Sequence, residues 1–209
     1  MLGNIINTNV ANLIGTISSD MKFSHEIYGE QFYNFIVDVP RLSDTYDHLP
    51  VTISERLLND IDLNIGKSIC ITGQIRSYNR MTDSGRSRLL LSVFCRDIKN
   101  ADEETEAKNP NDIYLEGYLC KKPVYRTTPF GREICDLLLA VNRMYNKSDY
   151  IPCIAWGRNA RFCDNFAVGT HIKLWGRFQS REYQKKLDED NIVTRTAYEV
   201  SVSKLEKLE

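Results

Sequence analysis

This chain is written twice. Shifting it by 102 residues lays Gly15 of NLIGTI on Gly117 of YLEGYL, NFIVDVPR (34–41) on DLLLAVNR (136–143), and Pro50 on Pro152. A shift of 103 lays GKSICITGQIRS (66–77) on GTHIKLWGRFQS (169–180). A shift of 107 lays LSVFCRDI (91–98) on YEVSVSKL (198–205). Five matched segments in one order at nearly constant spacing mark a tandem duplication of a unit of about 95 residues. The fold must therefore be one that so short a unit can close, and that can be built twice.

Each copy holds five apolar segments of strand length. Ile69, Ile71 and Ile75 alternate with Cys70, Thr72 and Gln74, the period of a half-buried strand. Between the third and fourth strands lies one helical stretch. In the second copy it is RNARFCDNFAVG, with Ala160, Cys163, Phe166 and Ala167 at helical spacing. In the first it is SERLLNDIDLNIG, with Leu57, Leu58 and Ile61, opened by Ser54 as N-cap. Three strands, a short helix and two strands predict an all-β protein of two tandem OB-folds, small five-stranded Greek-key barrels. The polar, acidic stretch KNADEETEAKNPND (99–112) reads as the connection. The expected division is residues 1–99, a linker at 100–110, and 111–209.

Composition narrows the class further. The chain has 209 residues, 42% of them hydrophobic and 10% aromatic, which suits a folded protein. No apolar run approaches the roughly 18–20 residues of a membrane span, and MLGNIINTNVANLIGTI has no basic start or cleavage site. A soluble cytoplasmic protein is the expectation. Six cysteines form no CxxC pair and several sit inside apolar runs, so they read as structural thiols rather than disulfide or metal ligands. The three histidines have no ligand spacing, and no metal or cofactor is expected. Net charge is −1, but residues 1–108 carry 11 Lys and Arg against 15 Asp and Glu, and residues 109–209 carry 16 against 13. The second copy is the one a polyanion meets first.

The second copy resembles the bacterial single-stranded DNA-binding proteins. The resemblance rests on IYLEGYLCKKPVYRTTPFGREICDLLLAVNR, DYIPCIAWGRNARFCDNFAVGTHIKLWGRFQSREY and TAYEVSVSKLE, and covers residues 111–207. The first copy resembles that family only through the duplication and its glycine framework. The resemblance implies sequence-independent binding of single-stranded DNA in replication, recombination or repair, with bases stacked on aromatics and phosphates on basic residues. Its stacking positions fall on Tyr145, Tyr150, Trp156 and Tyr183. The family works with four OB-folds per particle, so the resemblance also implies a homodimer. Members end in an acidic tail that recruits other proteins, whereas this sequence ends SVSKLEKLE directly after the last strand, and no such tail is expected.

The residues can be read without the family. On YIPCIAW, Tyr150 and Trp156 share one face with Pro152 and Ile154, opposite Ile151, Cys153 and Ala155. Alternation alone leaves two readings: the aromatics fill the barrel, or they lie outside it. On the next strand Ile172, Leu174 and Phe178 point one way, and Lys173, Trp175 and Arg177 the other. Charges flanking Trp175 make burial of that face costly, so it is either a stacking platform or a subunit contact. Two hairpins extend the surface. CKKPVYRTTPFGRE carries Lys121, Lys122, Arg126 and Arg132 among Tyr125 and Phe130; QSREYQKKLDEDNIVTRT carries Arg181, Tyr183, Lys185 and Lys186. Basic residues interleaved with aromatics suit a flexible polyanion with exposed bases, while duplex reading calls for a basic recognition helix.

In the first copy the same positions hold Cys70, Thr72 and Gln74, and Ser43, His48, Ser54 and Arg80. That surface is expected to be poor in aromatics, with secondary contacts from Arg76, Tyr78, Arg80, Arg86 and Arg88 on its last hairpin. IGKS (65–68) lacks the first glycine of a phosphate loop, and NKSD (146–149) has no phosphate loop to accompany it. No catalytic constellation is written in the chain, which predicts a non-enzyme. Two other functions remain open at this level: a protein-interaction module of the primosomal kind, and a single-stranded RNA binder.

Overall fold

The computed structural model describes residues 7–59, 61–81, 85, 87–102, 108–188 and 191–208, with backbone only at 185–188, 191 and 192. In the first copy the strands are β1 (Asn9–Ile17), β2 (Lys22–Ile27), β3 (Glu30–Pro40), β4 (Tyr46–Ser54), β5 (Ser68–Met81) and β6 (Ser87–Asn100). In the second they are β7 (Asn111–Leu119), β8 (Val124–Thr127), β9 (Glu133–Arg143), β10 (Lys147–Trp156), β11 (His171–Asp188) and β12 (Asn191–Lys207). The first barrel runs β3-β4-β6-β5-β1 and closes where Thr16 of β1 meets Asp38 of β3. The second runs β9-β10-β12-β11-β7 and closes where Tyr118 meets Ala140. In each, one pairing is parallel, β4 with β6 and β10 with β12. These are two OB-folds in one chain.

Five strands close each barrel, and a short sixth strand, β2 or β8, is the returning arm of a hairpin outside it. The helices differ from expectation in one copy. Arg158–Asp164 forms α1 in the second copy, burying Ala160 and Cys163. In the first copy only Glu55–Leu57 coils, as one 3-10 turn, although Ser54 does cap it by accepting from the Arg56 N–H. Beyond it the Asp62 carboxylate takes the Asn64 N–H at 3.1 Å, so a local turn replaces the next helical hydrogen bonds.

The repeated glycines have two separate jobs. Gly66 and Gly169, which open the two matched segments, have φ of +89° and +86° and turn the chain into β5 and β11. Gly73 and Gly176, eight positions into those segments, sit where a Cβ would lie 2.4 Å from the Phe94 carbonyl oxygen and 2.2 Å from that of Ser201. Both lie at a β-bulge, where Arg96 of β6 and Ser203 of β12 are the extra residues.

The two barrels join edge to edge. β1 pairs antiparallel with β7, and Ala11 lies opposite Ile113, its own counterpart in the duplication. The join is therefore pseudo-twofold, and its polar groups recur in pairs. The buried Asp47 carboxylate of the first copy accepts from the Ser180 N–H at 2.8 Å, from Arg177 at 3.1 Å, and from Arg41. Its counterpart Asp149 accepts from the Ser77 N–H at 2.8 Å and from Arg76 at 2.9 Å, with Arg143 at 3.6 Å. The serine hydroxyls complete the pattern: Ser180 Oγ accepts from the His48 N–H, and Ser77 Oγ from the Tyr150 N–H.

Candidate nucleic-acid interface

Alternation along β10 buries Ile151, Cys153 and Ala155 in the second barrel and leaves Tyr150 and Trp156 on its outer face. Those two aromatics do not fill the barrel. The Trp156 indole N–H donates to Ser201 Oγ on β12 at 3.1 Å, which fixes the ring over the parallel pairing. Along β11, Ile172, Leu174 and Phe178 are buried, and Lys173, Trp175 and Arg177 face out. Trp175 lies between Tyr114 of β7, ring centroids 5.4 Å apart, and the Lys204 ammonium of β12, 4.5 Å from its ring centre. Trp156, Arg158, Phe162 and Lys204 line an open cleft of about 540 Å³ at the mouth of α1. The outer face thus carries two half-buried tryptophans, a half-exposed phenylalanine, and the cations Arg158 and Lys204, of which Lys204 also pairs with Glu206 at 2.6 Å. Flat rings beside positive charge can hold an unpaired base and its phosphate together.

Tyr114 and Lys204 also belong to this face; Tyr114 alternates regularly between buried Ile113 and Leu115, whereas Lys204 escapes a reading by alternation. Lys204 shares parity with Val200 and Val202, which are buried, but the bulge at Ser203 turns it outward. Tyr114 donates its hydroxyl to Glu116 at 2.8 Å, and burial together with that carboxylate pushes its pKa up to about 12. It stays a neutral, flat neighbour for Trp175 at physiological pH.

The remaining residues separate into groups. Tyr145 stands 88% exposed on the β9–β10 turn, and Tyr183 lies further along β11 with the Arg181 guanidinium 6.0 Å from its ring centre. Phe130 is 92% exposed at the tip of the β8–β9 hairpin, with Arg132 beside it and Lys121 and Lys122 on the preceding loop. Tyr125 is half-buried, packs against the core and donates its hydroxyl to Glu133. Arg126 is held by Asp136 at 2.7 Å and Arg177 by Asp47, so both already have carboxylate partners; Lys173 and Arg181 have looser ones in Glu116 and Glu199. The side chains of Lys185 and Lys186 lie outside the described residues.

In the first copy, Tyr78, Arg80 and Arg88 are exposed on the β5–β6 hairpin, and Arg86 lies outside the described residues. Arg76 is not on that hairpin's open surface; it is the seam residue bound to Asp149. The outer face of this barrel also departs from expectation. It holds aromatics brought in from positions that have none in the second copy: His25 stacks on Phe32 at 4.9 Å, Phe32 meets Phe94 at 5.8 Å, and Arg76 lies 5.9 Å from the Phe94 ring centre. Phe32 and Phe94 replace Ile134 and Ser201, so copying positions from one repeat to the other could not find them.

Four cysteines are core residues. Burial pushes Cys95 up to about 12, Cys135 to about 11 and Cys163 to about 12, and raises Cys153 as well, so all four stay protonated near neutrality. Among the described residues no group of three or more His, Cys, Asp or Glu is placed to hold a metal ion. Among the described residues no helix is long and apolar enough to cross a membrane.

Residues 110–208 match the model of the single-strand binding protein family. Among curated relatives, single-stranded DNA-binding protein 1 of Staphylococcus aureus is 36% identical over 83 residues, 36% of this chain and 50% of the relative. Single-stranded DNA-binding protein A of Bacillus subtilis is 35% identical over 96 residues, 43% of this chain and 56% of the relative. The chain thus spans about half the length of the curated relatives it matches. Among solved structures, the wild-type single-stranded DNA binding protein from Thermus aquaticus superposes with a TM-score of 0.74. That match covers 96% of this chain and 93% of the other at 19% identity, a likeness of fold across both barrels.

Proposed function

We propose that the chain binds single-stranded DNA without regard to sequence; residues 110–208 match the model of the single-strand binding protein family, which supports the reading. Bases stack on Trp156, Trp175, Tyr150, Tyr145 and Tyr183, and phosphates lie along Lys173, Lys204, Arg158 and Arg181. The hairpin residues Lys121, Lys122, Phe130 and Arg132 extend the path. The observation that carries this reading is the outer face of the second barrel, where Trp175 lies half-buried between Tyr114 and Lys204 rather than in the core. Each stacked base contributes roughly 1–3 kcal/mol, whatever its identity.

In this reading residues 1–99 and 111–209 are two domains joined by 100–110. The second supplies most of the binding energy, and the first supports it with Tyr78, Arg80 and Arg88. Two chains assemble four OB-folds, and the complex protects single strands in replication, recombination or repair. Titration with thymidylate oligomers, following tryptophan fluorescence and light scattering together, tests the reading. It predicts strong quenching by the thymidylate oligomer, weaker quenching by duplex, and the mass of a dimer. Absence of quenching by any nucleic acid would instead make the chain a protein-binding module, and stronger quenching by uridylate would make RNA the ligand.

A further inference from the structure

The pseudo-twofold seam creates two clefts, one on each side of the β1–β7 pairing, and the duplication has let them diverge. One, of about 560 Å³, is lined by Pro40, Leu42 and Pro110 together with Arg41, Arg177 and Asp47. Both of its arginines are bound to Asp47, which leaves a largely apolar pocket with little surplus charge. Its mate, of about 420 Å³, is lined by Gln74, Arg76, Arg96, Arg143, Tyr145 and Lys147. Here four cations face one buried carboxylate, Asp149, which holds Arg76 at 2.9 Å and Arg143 at 3.6 Å. Among the described residues no ion pair engages Arg96 or Lys147.

We infer that this second cleft is a composite nucleotide site, in which a phosphodiester sits between Arg96, Arg143 and Lys147 while its base stacks on Tyr145. The inference rests on the single-strand binding reading and adds to it a definite role for the first copy, which completes the second copy's site with Arg76 and Arg96. Three further observations support it. Arg96 is the bulge residue of β6, and a bulge re-aims a side chain, here into the cleft; its counterpart in the second copy is Ser203, which brings no charge. Tyr145 and Asn146 have φ of 63° and 54°, a left-handed turn that costs an aromatic residue strain and holds its ring out over the cleft. Burial lowers the Arg76 pKa, and the Arg143 and Arg96 charges lower it further against the Asp149 hydrogen bond. The guanidiniums therefore crowd one another, and an arriving anion relieves that repulsion. The mate cleft has Ser43 in place of Tyr145 and Thr45 in place of Lys147, so the path of a bound strand across the seam is one-sided.

The test is a titration of the full chain into a labelled thymidylate oligomer of about 30 nucleotides, enough for two OB-folds, followed by fluorescence anisotropy over a range of salt concentrations. Arg96→Glu with Lys147→Glu changes two exposed side chains of the site. Leu42→Glu with Thr45→Glu places two glutamates in and beside the mate cleft, at the positions equivalent to Met144 and Lys147. The first pair is expected to weaken binding about tenfold or more and to lower the slope of log K against log salt by about 1.4, for two lost phosphate contacts. The second pair is expected to leave affinity within about twofold and the slope unchanged. Equal effects of the two pairs, or none from the first, would overturn the composite site. If Trp156→Ala with Trp175→Ala still weakened binding in that case, the single-strand reading would survive its loss. A wild-type chain that did not bind the oligomer would overturn both. Competition by thymidine monophosphate at equal nucleotide concentration would assign the cleft to a free nucleotide and overturn its place on a strand.

Discussion

Single residues show most clearly what the duplication preserved. Gly73 and Gly176 recur because a carbonyl of the next strand lies where their Cβ would be. Gly176→Ala is expected to destabilise the chain by about 1–3 kcal/mol in urea unfolding, since the obstructing atom is backbone and cannot swing aside. An effect below a few tenths of a kcal/mol would show that the bulge relaxes. These glycines are legible in the sequence by repetition alone, although repetition does not say which of them turns the chain and which admits a neighbour. Outer-face residues were legible only as far as strict alternation holds. Trp156, Trp175, Lys173 and Arg96 obey it; Lys204 does not, because the bulge at Ser203 shifts the parity after it. Tyr125 shows another limit: a tyrosine among lysines and arginines looks like a surface group, but here its ring is half-buried against the core.

At the level of strands, the final serines of the matched segments turn out to hold the two barrels to each other. Ser77 and Ser180 each donate a backbone N–H to an aspartate of the other copy and accept one in return. Asp149→Ala leaves Arg76 partly buried without its carboxylate, and a loss of about 3–5 kcal/mol is expected from denaturant unfolding. A loss under about 1 kcal/mol would mean that the β1–β7 pairing alone holds the seam. The strands and barrel order were legible from period and spacing. The seam was not, because a serine that ends a strand pattern gives no sign of whether its partner lies in its own barrel or the next. The 3-10 turn in place of a helix at Glu55–Leu57 has a local cause, the turn-forming Asn59, Asp62 and Asn64 that follow.

For the whole molecule, the division of charge is the feature that scales up from composition to mechanism. Residues 109–209 are net +3 and residues 1–108 net −4, yet the first copy turns Arg76 and Arg96 toward the second across the seam. Two similar barrels therefore take unequal parts: one carries the outward-facing tryptophans, and the other completes a cleft and presents Tyr78, Arg80 and Arg88 at its margin. The central claim is that the outer face of the second barrel carries most of the affinity for single-stranded DNA. Comparing the dissociation constants of two double variants for a thymidylate oligomer tests it most directly. Trp156→Ala with Trp175→Ala should lose two stacked bases, at roughly 1–3 kcal/mol each, or at least about thirtyfold in affinity. Because that variant has no tryptophan left, anisotropy of a labelled oligomer is the readout. Tyr78→Ala with Arg80→Ala should cost no more than about fivefold. Equal losses from the two pairs would contradict the account.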